Sequence, residues 1–289
     1  MTGTQQAIQC MPLEEASRFW RERVHSAPAL ALFLDFDGSI SPIVAKPELA
    51  AIDPQTKHLI ERLKELGGIQ IAIVSGRQLT DVRQRAGIDG IIYAGNHGLE
   101  IETDTVCFRE PRAESLRLEV RRLVLRLEQL LSDATGVEIE DKGVGVAVHY
   151  RQVHESLHDW VRRSVQDTVC RSRVFTCIPG KMVIDVRPAV EWNKGHAVRW
   201  LLEHYSSAAA LPIYIGDDTT DEDAFAALPE DALTVRVGWL PETRARFWVP
   251  DVCAVRRLLL AIYELRSHDK RPMGIAGKPE AATGVHGLS

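Results

Sequence analysis

The sequence predicts an α/β fold: a Rossmann-like parallel sheet with helices on both faces, interrupted by an inserted α+β unit. Three observations carry this expectation. Apolar runs end in carboxylates at two distant places. Leu32-Phe33-Leu34 precedes Asp35-Phe36-Asp37-Gly38-Ser39, and Ile213-Tyr214-Ile215-Gly216 precedes Asp217-Asp218. Such runs read as buried parallel strands, and acids at their C-terminal ends fall on the ligand-binding edge of an open sheet. Strand and helix patterns alternate up to Gly98 and again after Pro188. Between them the pattern becomes helix–hairpin–helix–hairpin, which fits a small antiparallel α+β unit.

The elements follow in order. Pro12–His25 reads as a helix with Leu13, Ala16, Phe19 and Trp20 on one side. Ala29–Leu34 is the first strand, and Ser39–Ala51, with Pro42 and Pro47, is irregular. Asp53-Pro54 starts a helix, Asp as N-cap and Pro in the first turn, and Gly67-Gly68 ends it. Ile69–Val74 is a strand ending at Ser75-Gly76-Arg77. Asp81–Ala86 is helical, and Ile91–Ala94 is a strand ending at Gly95-Asn96-His97-Gly98. This β-α-β-α-β order implies a right-handed parallel sheet. Leu99–Ile101 and Val106–Phe108 form a hairpin.

Ala113–Asp133 and Glu155–Cys170 are the two helices of the inserted unit. Val137–Ile139 with Val144–Tyr150, and Val174–Ile178 with Met182–Val186, are its hairpins. Helix Gly195–Ser206, strand Ile213–Ile215, helix Asp221–Leu228, strand Leu233–Val237 and helix Val252–Glu264 complete the core. The expected division is core 1–110, inserted cap 111–183, core 184–266 and a disordered tail 267–289, whose Gly, Pro, Lys and His show no period.

Bulk properties exclude several classes. The chain has 289 residues, 45% hydrophobic and 26% charged, with a net charge of −5. That balance gives no electrostatic footprint for nucleic acid. Arg117–Arg126 alternates with Leu and Val at helical spacing and reads as a solvated helix face. No apolar run is long enough to span a membrane, and Met1–Cys10 has no signal-peptide core. Cysteines at 10, 107, 170, 177 and 253 form no CxxC pair and read as reduced thiols of a cytoplasmic protein.

The chemistry concentrates at strand ends. Asp35 and Asp37 lie one residue apart, and two such carboxylates repel unless a cation intervenes. Hard oxygen donors suit Mg²⁺, and Mg²⁺ with a second acid supplies parts for phosphoryl transfer. Ser75 puts a hydroxyl and backbone N–H groups at the same edge. Lys194, in Trp192-Asn193-Lys194-Gly195, puts a cation at a helix start, and Asp217, Asp218 and Asp221 add carboxylates. Each has an ordinary structural alternative: a turn hydroxyl, a solvated lysine, an N-cap. Their order, each at the end of an element, argues for one site.

These motifs resemble the haloacid dehalogenase superfamily of phosphatases. Its four motifs are matched by DFDGS at 35–39, VSGR at 74–77, Lys194 in WNKG and GDDTTDED at 216–223. The inserted unit falls between the second and third motifs, where a type-C2 cap belongs. More narrowly, DFDGSISPIV, AGNHGLEI, DKGVGVAVHYR and GKMVIDVRP resemble the trehalose-6-phosphate phosphatase family. The chain departs from that pattern at Ser39 (usually Thr), Gly145 (often Ser) and Asp185 (often Glu).

The resemblance implies a two-step mechanism. Asp35 is the nucleophile forming an aspartyl-phosphate, and Asp37 is the general acid and then base. Ser75 and Lys194 neutralise phosphoryl charge. Mg²⁺ is held by Asp35, the backbone carbonyl of Asp37 and Asp217, with Asp218 and Asp221 behind them. A sugar-phosphate substrate under a cap suggests Lys142, His149, Arg151, Lys181 and Asp185 as binding residues, with Arg77, Asn96 and His97 from the core rim. His149 and Arg151 also suit a solvated sheet face. A separate trehalose-phosphate synthase chain is expected. The rivals are a sucrose-phosphate or mannosylglycerate-phosphate phosphatase, a phosphomutase and a catalytically idle sensor.

Overall fold

A computed structural model of the chain describes residues 10–44, 47–180 and 182–267. The expected tail, apart from Ser267, lies outside the described residues, as does Lys181.

Among the described residues, nine strands form one sheet in the order β1-β13-β12-β11-β2-β3-β4-β5-β6. These are β1 (Met11–Pro12), β2 (Ala29–Leu34), β3 (Ile69–Val74), β4 (Ile92–Gly95), β5 (Glu100–Glu102), β6 (Cys107–Arg109), β11 (Ala210–Gly216), β12 (Leu233–Val237) and β13 (Phe247–Val249). Pairing is parallel from β1 to β4 and antiparallel across β4-β5-β6. The predicted parallel sheet is therefore present, with the predicted hairpin as its antiparallel edge. The central strands β2, β3 and β11 are nearly continuous apolar runs because helices cover both faces. Each fully buried Leu or Ile there contributes about 1.5–3 kcal/mol of transfer free energy.

Helices α1 (Ser17–Ser26), α2 (Pro54–Glu65), α3 (Leu79–Ala86), α7 (Lys194–Tyr205), α8 (Asp221–Ala227) and α9 (Val252–Ser267) pack on this sheet. The side chain of Asp53 caps α2 by accepting from the Thr56 N–H. The first helix begins at Ser17, not Pro12, because Met11-Pro12 pairs with β13 instead. Phe19 is correspondingly exposed, and Trp20 and Val24 carry the buried face.

The remaining strands form a four-stranded antiparallel sheet, β7-β8-β10-β9. They are β7 (Glu138–Asp141), β8 (Val146–His149), β9 (Phe175–Gly180) and β10 (Val183–Pro188), the last running past residue 183. Val146, Val148, Ile184 and Val186 share a cluster with Val120, Leu123 and Leu127 of the helix over Arg117–Leu130 (α5) and Val161 and Val165 of the helix over His158–Ser172 (α6). The expected single helix over 113–133 is broken: α4 (Pro111–Ser115) ends at Leu116, and α5 starts anew at Arg117.

Candidate active site

The register brings the predicted motifs to one edge. Leu34 pairs with Ile215 and with Ile73, and Val74 pairs with Ala94. Asp35, Ser75, Asn96 and Asp217 therefore leave the sheet side by side. Asp35 is buried, and its N–H donates to Ile215 O at 2.9 Å.

Lys194, at the start of α7, is 2% exposed. Its Nζ donates to Asp35 Oδ1 and Asp221 Oδ1, both at 2.7 Å. Asp221 also accepts from Tyr214 Oη at 2.7 Å and from the Asp218 N–H at 2.9 Å. The Ser39 hydroxyl donates to Asp35 Oδ2 at 3.2 Å. Burial disfavours a charged lysine, but Asp221 and Asp35 outweigh it and hold the Lys194 ammonium above its ordinary range.

Asp35, Asp217 and Asp221 present oxygens that all lie within 4.8 Å of one another. Among the described residues Asp217 Oδ1 is buried with no hydrogen-bond partner. One lysine cannot balance three clustered carboxylates, so the donor set fits a hard divalent cation. Asp221 thus stands inside the cluster as well as orienting its neighbours. Asp218 does not: its carboxylate turns to Thr219 and Thr220.

The backbone is shaped to allow this proximity. Gly38 has φ +79°, and a Cβ there would come within 2.0 Å of Asp217 Oδ2. Gly76 lies against the His97 ring, where a Cβ would meet Cε1 at 2.4 Å. Asn96 and His97 both have positive φ, 50° and 58°, a strained conformation for residues with side chains.

Burial pushes Asp35 well above the usual carboxylate range, with Asp221 and Asp217 adding to it and Lys194 opposing. Burial and the charge of Asp221 push Asp217 up to about 7. Folded Asp217 then takes up its proton near pH 7, far above the pH at which an unfolded carboxyl does. This group's stabilising protonation is complete at low pH and is lost as pH rises through about 7. We expect chelated protein to melt at higher temperature at about pH 6 than at about pH 8, and saturating Mg²⁺ to flatten the trend. The opposite slope in scanning calorimetry would contradict this environment for Asp217.

Asp37 faces a different partner. Arg77 grips its carboxylate with two bonds of 2.6 and 2.7 Å and reaches Asp81 at 3.0 Å. Arg77, expected to meet substrate, here holds both carboxylate oxygens of Asp37. The fork geometry of guanidinium and carboxylate makes that grip specific.

Beside Ser75, whose carbonyl accepts from the His97 N–H at 2.9 Å, a narrow cleft runs between the two sheets. Asn96, His97, Lys142, Asp185 and Arg187 line it. Lys142 Nζ spans the two sides, donating to Asp185 Oδ1 at 2.9 Å and Gly76 O at 3.3 Å. Asn96 donates to the Lys142 carbonyl at 3.1 Å and to Glu100 at 2.7 Å. Burial holds His97 down at about 3, so its ring is uncharged at neutral pH. Burial opposes ionisation of Asp185, but the His97 contact, Lys142 and Arg187 hold it well below the usual range. With His97 uncharged, Lys142 and Arg187 carry the positive charge that does this. His149 pairs with Glu140 at 3.2 Å on the same sheet face as Asp185, and Arg151 follows at an exposed turn. Neither lines the cleft.

Sequence reasoning missed Tyr214, Glu100, Glu140 and Arg187. Their signal was present: each is a polar group inside an apolar or alternating strand. Among the described residues no helix is long and apolar enough to cross a membrane, and all five cysteines are free thiols.

Known proteins resemble this chain in sequence and fold. The trehalose-phosphatase family model matches residues 33–242, which contain every acidic and basic group described above. The trehalose-phosphate phosphatase of Mycobacterium tuberculosis H37Rv is 39% identical over 199 residues, 68% of this chain and 50% of that protein. The chain thus spans about half the length of the curated relatives it matches. The crystal structure of a trehalose-6-phosphate phosphatase related protein superposes with a TM-score of 0.73 at 29% identity, covering 82% of this chain and 99% of that one. A haloacid dehalogenase-like hydrolase from Bacteroides thetaiotaomicron shares the fold at a TM-score of 0.58 and 13% identity, covering 81% of this chain and 99% of that one. With the matched segment running from β2 through β12 and taking in the whole carboxylate–lysine cluster, the chain belongs to the trehalose-phosphatase family.

Proposed function

We propose that this chain is a Mg²⁺-dependent phosphatase that hydrolyses trehalose 6-phosphate through an aspartyl-phosphate, with residues 111–188 acting as a cap over the strand ends. The observation that carries the reading is the buried Asp35–Lys194–Asp221 chain beside Asp217, with the cleft of Asn96, Lys142 and Asp185 next to it. A catalytically idle sensor has no use for a buried nucleophile clamped to a lysine.

Asp35, Asp217 and the backbone carbonyl of Asp37 would hold the cation. When bound, it supplies charge neutralisation for the phosphoryl group. Asp35 attacks phosphorus, and the bond from phosphorus to the sugar oxygen breaks. Asp37, once it has left the Arg77 pair and taken up a proton from solvent, gives that proton to the leaving oxygen. It then takes a proton from the water that attacks the aspartyl-phosphate, releasing phosphate and restoring the Asp35 carboxylate. Two of the three Lys194 N–H groups are used by Asp35 and Asp221. The third is left for a phosphoryl oxygen, where a buried donor is worth far more than in water. Ser75 lies at the same edge to serve another.

Phosphate release from trehalose, sucrose, mannosylglycerate and glucose phosphates, with Mg²⁺ and with chelator, tests the reading. Preference for trehalose 6-phosphate and dependence on Mg²⁺ support it. Preference for another sugar phosphate overturns the substrate, and full activity in chelator overturns the metal.

The cleft makes a second expectation. Lys142 belongs to the cap and reaches the core backbone, so its loss should weaken sugar binding and cap docking together. Lys142→Ala should raise KM for trehalose 6-phosphate by about tenfold or more, the cost of an unpaired buried polar contact. KM for a small aryl phosphate, which has no sugar to hold, should change little. Equal losses on both substrates would count against a sugar-binding role.

A further inference from the structure

Arg236 is out of place in β12. The strand Leu-Thr-Val-Arg-Val is buried along its whole length, and a guanidinium in such a strand requires partners for its charge. Arg236 is 8% exposed. Its Nη2 donates to Asp217 O at 2.6 Å, and its Nη1 donates to Asp218 O at 3.3 Å and Glu222 Oε1 at 2.8 Å. Glu222 is braced in turn by the Thr243 hydroxyl at 2.8 Å and the Arg244 N–H at 2.6 Å.

We propose that Arg236 is a positioning residue that sets the Asp217–Asp218 corner for the divalent cation; this rests on the phosphatase reading above. The corner is gripped by its backbone from two sides. Arg236 takes the carbonyls of Asp217 and Asp218, and Asp221 Oδ2 takes the Asp218 N–H at 2.9 Å. The pairing of Gly216 with Arg236 places the guanidinium alongside the strand end that releases Asp217. Asp217 Oδ1 is buried and unpartnered among the described residues. No side chain holds that oxygen, so the backbone beneath it sets where the carboxylate starts. A planar fork carries its donors on separate nitrogens, so it spans two carbonyls and a carboxylate that an ammonium would have to reach from a single atom. Arg236 Nε is also buried without a partner among the described residues. That unmet donor opposes folding, so the placement favours the Asp217–Asp218 corner over the arginine's own satisfaction. Groups behind metal ligands commonly govern affinity in this way.

The test is calorimetric titration of Mg²⁺ into metal-free wild type, Arg236→Met and Arg236→Lys, with chemical denaturation of each. We expect Mg²⁺ to bind Arg236→Met about tenfold or more weakly, as for other supports of metal ligands. Arg236→Lys should fall between. KM for trehalose 6-phosphate at saturating Mg²⁺ should stay near wild type, because Arg236 does not touch the sugar cleft. A folded variant that is less stable yet binds Mg²⁺ as wild type does would overturn the proposal and leave a purely structural arginine. If Arg236→Met does not fold, unchanged Mg²⁺ binding by Arg236→Lys overturns it equally. Absence of Mg²⁺ binding by the wild type would overturn the phosphatase reading and this proposal with it.

Discussion

Asp35→Asn should lower turnover of trehalose 6-phosphate by about 10⁴-fold or more, the scale of losing a nucleophile, without unfolding the protein. The amide is nearly the same shape, so packing at the end of β2 is kept. It is also uncharged, and the wild-type carboxylate is buried beside Asp221 and Asp217, whose charges and burial raise its pKa. Lys194 keeps Asp221 as its partner at 2.7 Å. Removing one of three clustered negative charges should leave stability unchanged or raise it. Phosphate release and denaturant unfolding read the two halves separately. Wild-type activity would remove Asp35 as nucleophile. Collapse of the fold would mean that its role is structural.

Lys194→Met should differ from Asp35→Asn in losing stability as well as activity. The methionine fills similar volume but leaves Asp35 and Asp221 facing each other without the cation that both contact. Breaking a buried ion pair by removing one partner costs about 3–5 kcal/mol. Here Asp35 can relieve part of that by binding a proton, so the loss should be largest at alkaline pH. Mg²⁺ should restore part of the stability, because it brings positive charge back to the same carboxylates, but not the activity. Urea unfolding with and without Mg²⁺ measures this. A variant as stable as wild type in chelator would contradict the electrostatic account of the cluster.

Both variants probe a cluster whose members were legible in the sequence. β2, β3 and β11 announced themselves because a parallel strand covered on both faces must be an unbroken apolar run. The acids following β2 and β11 could then be placed on one edge before any coordinates. Lys194 was legible through its helix start. What the pattern could not give was pairing across the chain. Arg77 sits at a strand end like a rim residue, and only tertiary structure brings it to Asp37, 40 positions away. Asp221 read as a group behind the metal ligands, yet the helix start of α8 turns it into the cluster. Arg236 passed unnoticed because a strand pattern tolerates one charge without asking where that charge is satisfied. Strands of two or three residues such as β1 and β13 carry no period, so Pro12 was read into a helix. The break at Leu116 has no Gly or Pro to mark it. It follows from α4 being capped by the Glu110 carboxylate and then closing into a turn before α5. His149 and Arg151 alternate convincingly, but alternation identifies a face, not what that face meets.

The division of labour between Asp35 and Asp37 is the central claim, and an activated aryl phosphate isolates it. Such a substrate has a leaving group that departs without a general acid, so Asp37→Asn can still be phosphorylated at Asp35. It then lacks the base for hydrolysis. Rapid mixing of Asp37→Asn with an aryl phosphate in Mg²⁺ should release a burst of about one aryl alcohol per protein, then a slow phase. Peptide mapping of the quenched protein should find the phosphoryl group on Asp35. Linear release with no burst and no protein-bound phosphoryl group, or a phosphoryl group on another residue, would contradict the account.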